Sequence, residues 1–108
     1  MLLQIYFNVV EANQADFEAL YKEAYVPAMQ KQVGYEGSRL LRLFPPEVCE
    51  EIQAEATPYN YQMNLVFDTE ENRRKWAASA EHQEVWPLAQ SMVEQVAWRG
   101  YDVVGEDG

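Results

Sequence analysis

Apolar side chains recur at every second position near the start of the chain, where Leu3, Ile5, Phe7 and Val9 alternate with Gln4, Tyr6 and Asn8. That is the period of a β-strand whose two faces meet different surroundings, and it predicts strand 1 over residues 2–10. The period then changes. Phe17, Leu20, Tyr21, Ala24 and Ala28 follow three-four spacing, with Asn13 as a cap, Asp16 in the first turn and Gly34 just beyond the end, so helix A is predicted over 14–33. Pro27 removes one backbone donor inside it, which costs about 3 kcal/mol in a regular helix and predicts a kink or a tighter turn. Residues 37–44 read as strand 2, stopped by Pro45 and Pro46. The connection that follows carries Glu47, Glu50, Glu51 and Glu55 and ends at Pro58, the pattern of a solvated loop with room for one helical turn.

Alternation returns in strand 3, predicted over 59–67. Tyr59, Tyr61, Met63, Leu65 and Phe67 share one face, and Asn60, Gln62, Asn64 and Val66 the other. Asp68 followed by Glu71 resembles a capping box, and the acidic first turn suits the positive end of a helix dipole, so helix B should begin near Thr69. Pro87 cannot donate to the carbonyl four residues back, which predicts two helical pieces across 70–95 with a bend between Ser79 and Trp86. The second piece is expected to bury Ala89, Met92, Val93 and Val96. Strand 4 is predicted over 97–104 and a polar tail over 105–108.

The order strand, helix, strand, strand, helix, strand is that of a ferredoxin-like α+β plan, a four-stranded antiparallel sheet with two helices on one face, here a single domain over 1–108. Such a plan leaves one sheet face bare. Leu3, Ile5, Phe7 and Val9 on one side of strand 1, with Tyr6 and Val10 on the other, predict that both faces are buried, while two helices cover only one. Leaving four large apolar side chains wet forgoes about 1.5–3 kcal/mol each. The expectation is a homodimer joined through the sheet face.

Composition narrows the class. A chain of 108 residues allows one core, and 48% hydrophobic with 13% aromatic residues is enough to fill it, which excludes a disordered chain. The formal charge of −10 repels phosphate backbones and anionic membrane surfaces, so neither nucleic acid nor membrane is an expected partner. Cys49 is the only cysteine and His82 the only histidine, leaving no intrachain disulfide, no CxxC pair and no metal site to expect. A reducing, cytoplasmic compartment fits. The N-terminal stretch has no basic leader, and no segment approaches the roughly 20 apolar residues of a membrane span.

His82 carries the one side chain whose unperturbed pKa makes it an ordinary proton acceptor near neutral pH. It lies in the run Trp76-Ala-Ala-Ser79-Ala-Glu81-His82. Six residues on an unbroken helix turn about 120° from the starting direction, so Trp76 and His82 share a pocket only where the chain bends between them.

Asn8 late in strand 1, Gly34-Tyr-Glu-Gly37 after helix A, Phe67 closing strand 3, and Trp76-x-x-Ser79-x-Glu81-His82 together resemble the dimeric α/β-barrel superfamily, and within it the antibiotic biosynthesis monooxygenase-like domain. The resemblance spans nearly the whole chain. It implies a dimer whose sheets form a shared barrel, with a pocket between sheet and helices in each subunit. The family includes cofactor-free monooxygenases of aromatic polyketides, haem-degrading oxygenases and proteins of unestablished activity. Asn8 matches the strand asparagine that bonds substrate or oxygen in catalytic members. Trp76 matches the pocket-wall tryptophan, and His82 the histidine of the W-x-x-S-x-x-H pattern. Haem-degrading members place an iron-binding histidine ten residues after the tryptophan, where this chain has Trp86.

No Gly-x-Gly-x-x-Gly follows a strand, so no flavin or nicotinamide is expected and the cofactor expectation is none. The resemblance implies a cofactor-independent monooxygenase that oxidises a small aromatic or quinol-type molecule with O2. His82 would be the base, Asn8 would steady the oxyanion, and Trp76 with Tyr6 and Trp86 would enclose the ring. The alternative is a non-catalytic small-ligand-binding or stress-associated dimer using the same pocket. Haem binding through His82 is a third reading, disfavoured by the spacing.

Overall fold

The computed structural model describes residues 1–108. Four antiparallel strands, β1 (Leu2–Val9), β2 (Tyr35–Arg42), β3 (Tyr61–Phe67) and β4 (Val93–Tyr101), lie in the order β2-β3-β1-β4. All the packed helices sit on one face of this sheet, which is the ferredoxin-like α+β plan. β1 and β3 are the central strands and supply the sheet's half of the core: Ile5, Phe7 and Val9 from one, Tyr61, Met63, Leu65 and Phe67 from the other. Phe17, Tyr25, Ala28, Met29, Trp76, Val85 and Ala89 descend on them from the helices.

The first helical stretch is not one kinked helix. It runs as α1 (Gln14–Leu20), a π turn over Tyr21–Tyr25, and α2 (Val26–Gln30). The expectation of a tighter turn at Pro27 is reversed, since the turn is wider and the Val26 amide reaches back to the Tyr21 carbonyl. The extra residue brings Pro27 into the first turn of α2, where a missing N–H costs little. Gly34 ends this layer at φ +83°. A Cβ there would run into the Asp68 carboxylate and the Asn72 amide, and the positive φ strains any other residue, so glycine suits this turn against the start of the next helix.

β2 begins two residues earlier than predicted because a bulge at Glu36, beside Gly37, absorbs one residue between Tyr35 and Gly37. The acidic connection holds one short helix, α3 (Pro46–Glu51). Tyr59 falls outside β3 and leaves the expected face to pack its ring on Tyr6 at 5.8 Å. Asn60 ends the strand pairing with its amide, which accepts from the Val9 N–H at 2.9 Å and donates to the Val9 carbonyl at 2.8 Å.

After β3, Thr69 rather than Asp68 caps α4 (Glu70–Ala78), its hydroxyl accepting from the Asn72 amide at 3.1 Å. Helix B does break in two, at Ser79, the first residue of the expected interval, and Pro87 is not the cause. Ser79 is extended (φ −72°, ψ 156°), donates its hydroxyl to the Trp76 carbonyl at 2.7 Å and accepts from the His82 amide at 3.1 Å. One side chain thus ends α4 and starts α5 (Ala80–Ser91). Pro87 sits inside α5 on its exposed side, and the carbonyl it strands belongs to Gln83, also an exposed residue. α5 stops at Ser91, so Val93 and Val96 belong to β4 and not to the helix.

Register assigns the sheet faces. Leu3, Ile5, Phe7 and Val9 all point at the helices, with Leu65, Met63 and Tyr61 beside the first three on β3. The four apolar residues cited above as needing a second subunit are therefore covered by the chain's own helices. The uncovered face carries Leu2, Gln4, Tyr6 and Asn8 from β1, Gln62, Asn64 and Val66 from β3, and Gln95, Ala97, Arg99 and Tyr101 from β4.

Candidate functional site

Trp76 turns inward from α4 and is 2% exposed, packed edge-on to Tyr25 at 5.7 Å. The Ser79 break redirects the chain so that His82, on the first turn of α5, meets Trp76 edge to face at 4.9 Å and 89°. One turn further, Trp86 stacks on His82 at 5.9 Å and 17°. Trp86 also meets Phe7 below at 6.2 Å and Trp98 of β4 at 6.3 Å.

Three of these rings, His82, Trp86 and Trp98, border a cleft of about 190 Å³ between helices and sheet, lined also by Leu3 and Ile5 of β1 and by Arg73 and Ala77 of α4. His82 Nδ1 is buried with no hydrogen-bond partner. Burial first, and the nearby Arg73 cation second, hold the His82 pKa below its ordinary value. The imidazole is thus neutral near pH 7 and free to accept a proton. Tyr25, behind Trp76, has a buried hydroxyl without a partner, and burial pushes its pKa upward.

The structure therefore brings together His82, Trp86 and, one layer deeper, Trp76. It separates Asn8 and Tyr6 from them. Phe7 faces the helices, so its strand neighbours face the other way, and the whole sheet stands between Asn8 and His82. Asn8 lies opposite Gln95 beside a bulge in the β1–β4 pairing. Tyr6 donates its hydroxyl to Gln4 Oε1 at 2.5 Å and lies under the Arg99 guanidinium at 5.9 Å. It borders a different cleft, of about 340 Å³, with Leu41, Leu43, Phe44 and Tyr59. Strand parity alone was the signal that Asn8 and Tyr6 could not share a helix-side pocket with Trp76.

Five lining residues are not among the site residues expected from the sequence, Leu3 and Ile5 of β1 and three others. Arg73 and Ala77 lie three residues before and one after Trp76, on adjoining strips of the same helix, and Trp98 is carried opposite Ile5 on β4. No cluster of three or more His, Cys, Asp or Glu side chains is placed to hold a metal, and no helix is long and apolar enough to cross a membrane.

No protein-family model matches the sequence, and no curated protein matches it. Solved structures do. The Arabidopsis thaliana protein At3g17210 superposes with a TM-score of 0.77 at 12% identity, covering 98% of this chain and 97% of its own. SnoaB, a cofactor-independent oxygenase from Streptomyces nogalater, superposes at 0.68 and 15% identity over 97% and 96%. A protein described as an antibiotic biosynthesis monooxygenase gives 0.68 at 13% identity over 97% and 100%. The chain shares the ferredoxin-like α+β fold of these structures, antibiotic biosynthesis monooxygenase-like proteins among them. At such identities the likeness is one of fold.

Proposed function

We propose that this protein is a cofactor-independent monooxygenase that oxidises a small aromatic or quinol-type molecule with O2 in the helix-side cleft. One observation carries the reading: a neutral, half-buried imidazole, its buried Nδ1 without a hydrogen-bond partner, lines a slot walled by Trp86 and Trp98. His82 takes a proton from an acidic phenol or its carbon tautomer. The electron-rich anion so formed is the reductant for O2. One oxygen atom becomes the new carbonyl and the other leaves as water, so a CH2 carbon becomes C=O without an outside electron donor. Trp86 stacks with the ring, and Trp76, which is buried, positions the imidazole. Asn8 and Tyr6 lie too far from this chemistry to act in the same subunit.

In the same reading a second copy covers the open sheet face, over Tyr6, Val66, Ala97 and Tyr101, and the protein works in the cytoplasm, where the lone Cys49 stays reduced. The SnoaB likeness and the fold support this, and sizing by light scattering at micromolar concentration tests the dimer. Oxygen uptake across a panel of anthrones and quinols tests the activity. His82→Ala is expected to slow turnover by about 10²-fold or more, and an unchanged rate with every accepted substrate removes His82 from the mechanism.

A non-catalytic ligand-binding or stress-associated dimer is the second reading, and the position of Asn8 favours it. No amide side chain lines the cleft beside His82 to steady an oxyanion. Ligand binding without oxygen uptake is its signature.

A further inference from the structure

One charge in the helix-side cleft enters the chemistry above only through its effect on the His82 pKa. Arg73 reaches the cleft from α4, and its side chain is only 22% exposed. Glu70 engages two of its donors, Oε2 accepting from Nε at 3.2 Å and Oε1 from Nη2 at 2.5 Å. That fork fixes the plane of the guanidinium. It leaves Nη1, with two N–H groups, outside the pair with Glu70. Arg73, Leu3 and Trp98 also line an adjoining hollow of about 340 Å³, whose far side is Met1, Tyr101 and Asp102. Arg73 therefore stands where an aromatic slot opens into a more polar one.

We propose that this cleft selects aromatic anions, one- or two-ring compounds carrying a carboxylate or an acidic phenolate, with the ring against Trp86 and Trp98 and the anionic oxygen on Arg73. The proposal rests on the reading of the cleft as a small-molecule site. A planar guanidinium held in place by a carboxylate offers its remaining donors at little further entropic cost, and hydrogen bonds to a charged oxygen are roughly twice as strong as neutral ones. The chain as a whole carries −10, and Glu70 and Asp102 face the same hollow, so the general field opposes an anion. The attraction is short-ranged and belongs to Arg73.

The experiment compares 1-naphthoate with 1-naphthamide, the same ring with and without the charge, by titration calorimetry or quenching of tryptophan fluorescence on the full chain. The native protein is expected to bind the naphthoate at least about tenfold more tightly, with an advantage that shrinks as sodium chloride is raised. Arg73→Gln is expected to bring the two affinities together while leaving the naphthamide within about twofold of its native value, and Arg73→Lys to keep part of the preference. Equal or reversed affinities in the native protein, no binding of either compound, or equal weakening of both by Arg73→Gln overturns the proposal. Should Arg73→Gln not fold, the native ratio and its salt dependence decide. A protein that prefers naphthoate yet consumes no oxygen with any anthrone or quinol keeps this proposal and loses the monooxygenase reading. One that turns over neutral substrates without preferring the anion does the reverse.

Discussion

Phe7 and Asn8 are neighbours on one strand and lie on opposite faces of the sheet. Phe7 is fully buried, with Phe17 at 4.9 Å and Trp86 at 6.2 Å. Asn8 looks the other way, onto a face whose other β1 side chains are Leu2, Gln4 and Tyr6. The helix side carries the apolar core. The open side mixes amides, guanidinium groups and a few large apolar groups. The lesson is that the same alternation does two jobs: it fills the chain's own core, and it paints the reverse of the sheet with groups suited to a wetter contact.

The sharpest way to break this contrast is to truncate both neighbours. Phe7→Ala is expected to cost about 3–5 kcal/mol in chemical denaturation, whereas Asn8→Ala stays within about 0.5 kcal/mol at high dilution. If Asn8→Ala grows costly as protein concentration rises, the open face is an interface; an equal and concentration-independent cost would undo the division into two faces. A smaller effect is expected at the joint. Ser79→Ala removes a cap that serves two helices and should cost about 1–2 kcal/mol, with a change in the near-ultraviolet circular dichroism of Trp76 and Trp86. Ser79→Asp should restore only the part of the loss that belongs to the α5 cap, because a carboxylate accepts from the His82 amide but cannot donate to the Trp76 carbonyl.

The pH dependence is subtler. The folded His82 pKa lies below the ordinary value of about 6.5, so the unfolded chain takes up the proton first as pH falls. Stability is then unaffected above about pH 7.5 and is lost as pH drops from about 6.5 through the folded pKa. In His82→Gln this component should be absent, and a difference in melting temperature that stays constant from pH 7.5 to 5 would show that His82 is not desolvated. Lys75→Ala should show the smallest effect. Its pair with Glu71, 3.8 Å apart on the exposed side of α4, is expected to contribute under about 0.5 kcal/mol.

Much of the fold was legible because β1 and β3 alternate so regularly. Ile5, Phe7 and Val9 of β1 and Tyr61, Met63, Leu65 and Phe67 of β3 are the buried residues of the sheet. The ends of elements were harder. β4 starts at Val93, four residues before the predicted start, since the helical and strand patterns overlap across Met92–Val96 and only pairing with β1 separates them. The helix break was expected and its agent mistaken. Pro87 attracts attention in a sequence, yet its cost depends on whether the carbonyl four residues back reaches water, which is a property of the fold. The site was legible in part: His82, Trp86 and Trp76 come together, while Asn8 and Tyr6 were grouped with them although their strand parity sends them elsewhere. Arg73 was overlooked because a charged residue early in a helix usually faces solvent.

Ser79 has one more consequence. Its surroundings, Ala77-Ala78-Ser79-Ala80, are among the better local sequences for continuing a helix. The chain thus carries a latent straight rod beneath its elbow. With the hydroxyl removed and the core loosened, the rod would carry the imidazole a third of a turn away from the indole of Trp76. Whether His82 meets Trp76 beside the cleft turns on a contest between one serine's two bonds and the pull of three alanines.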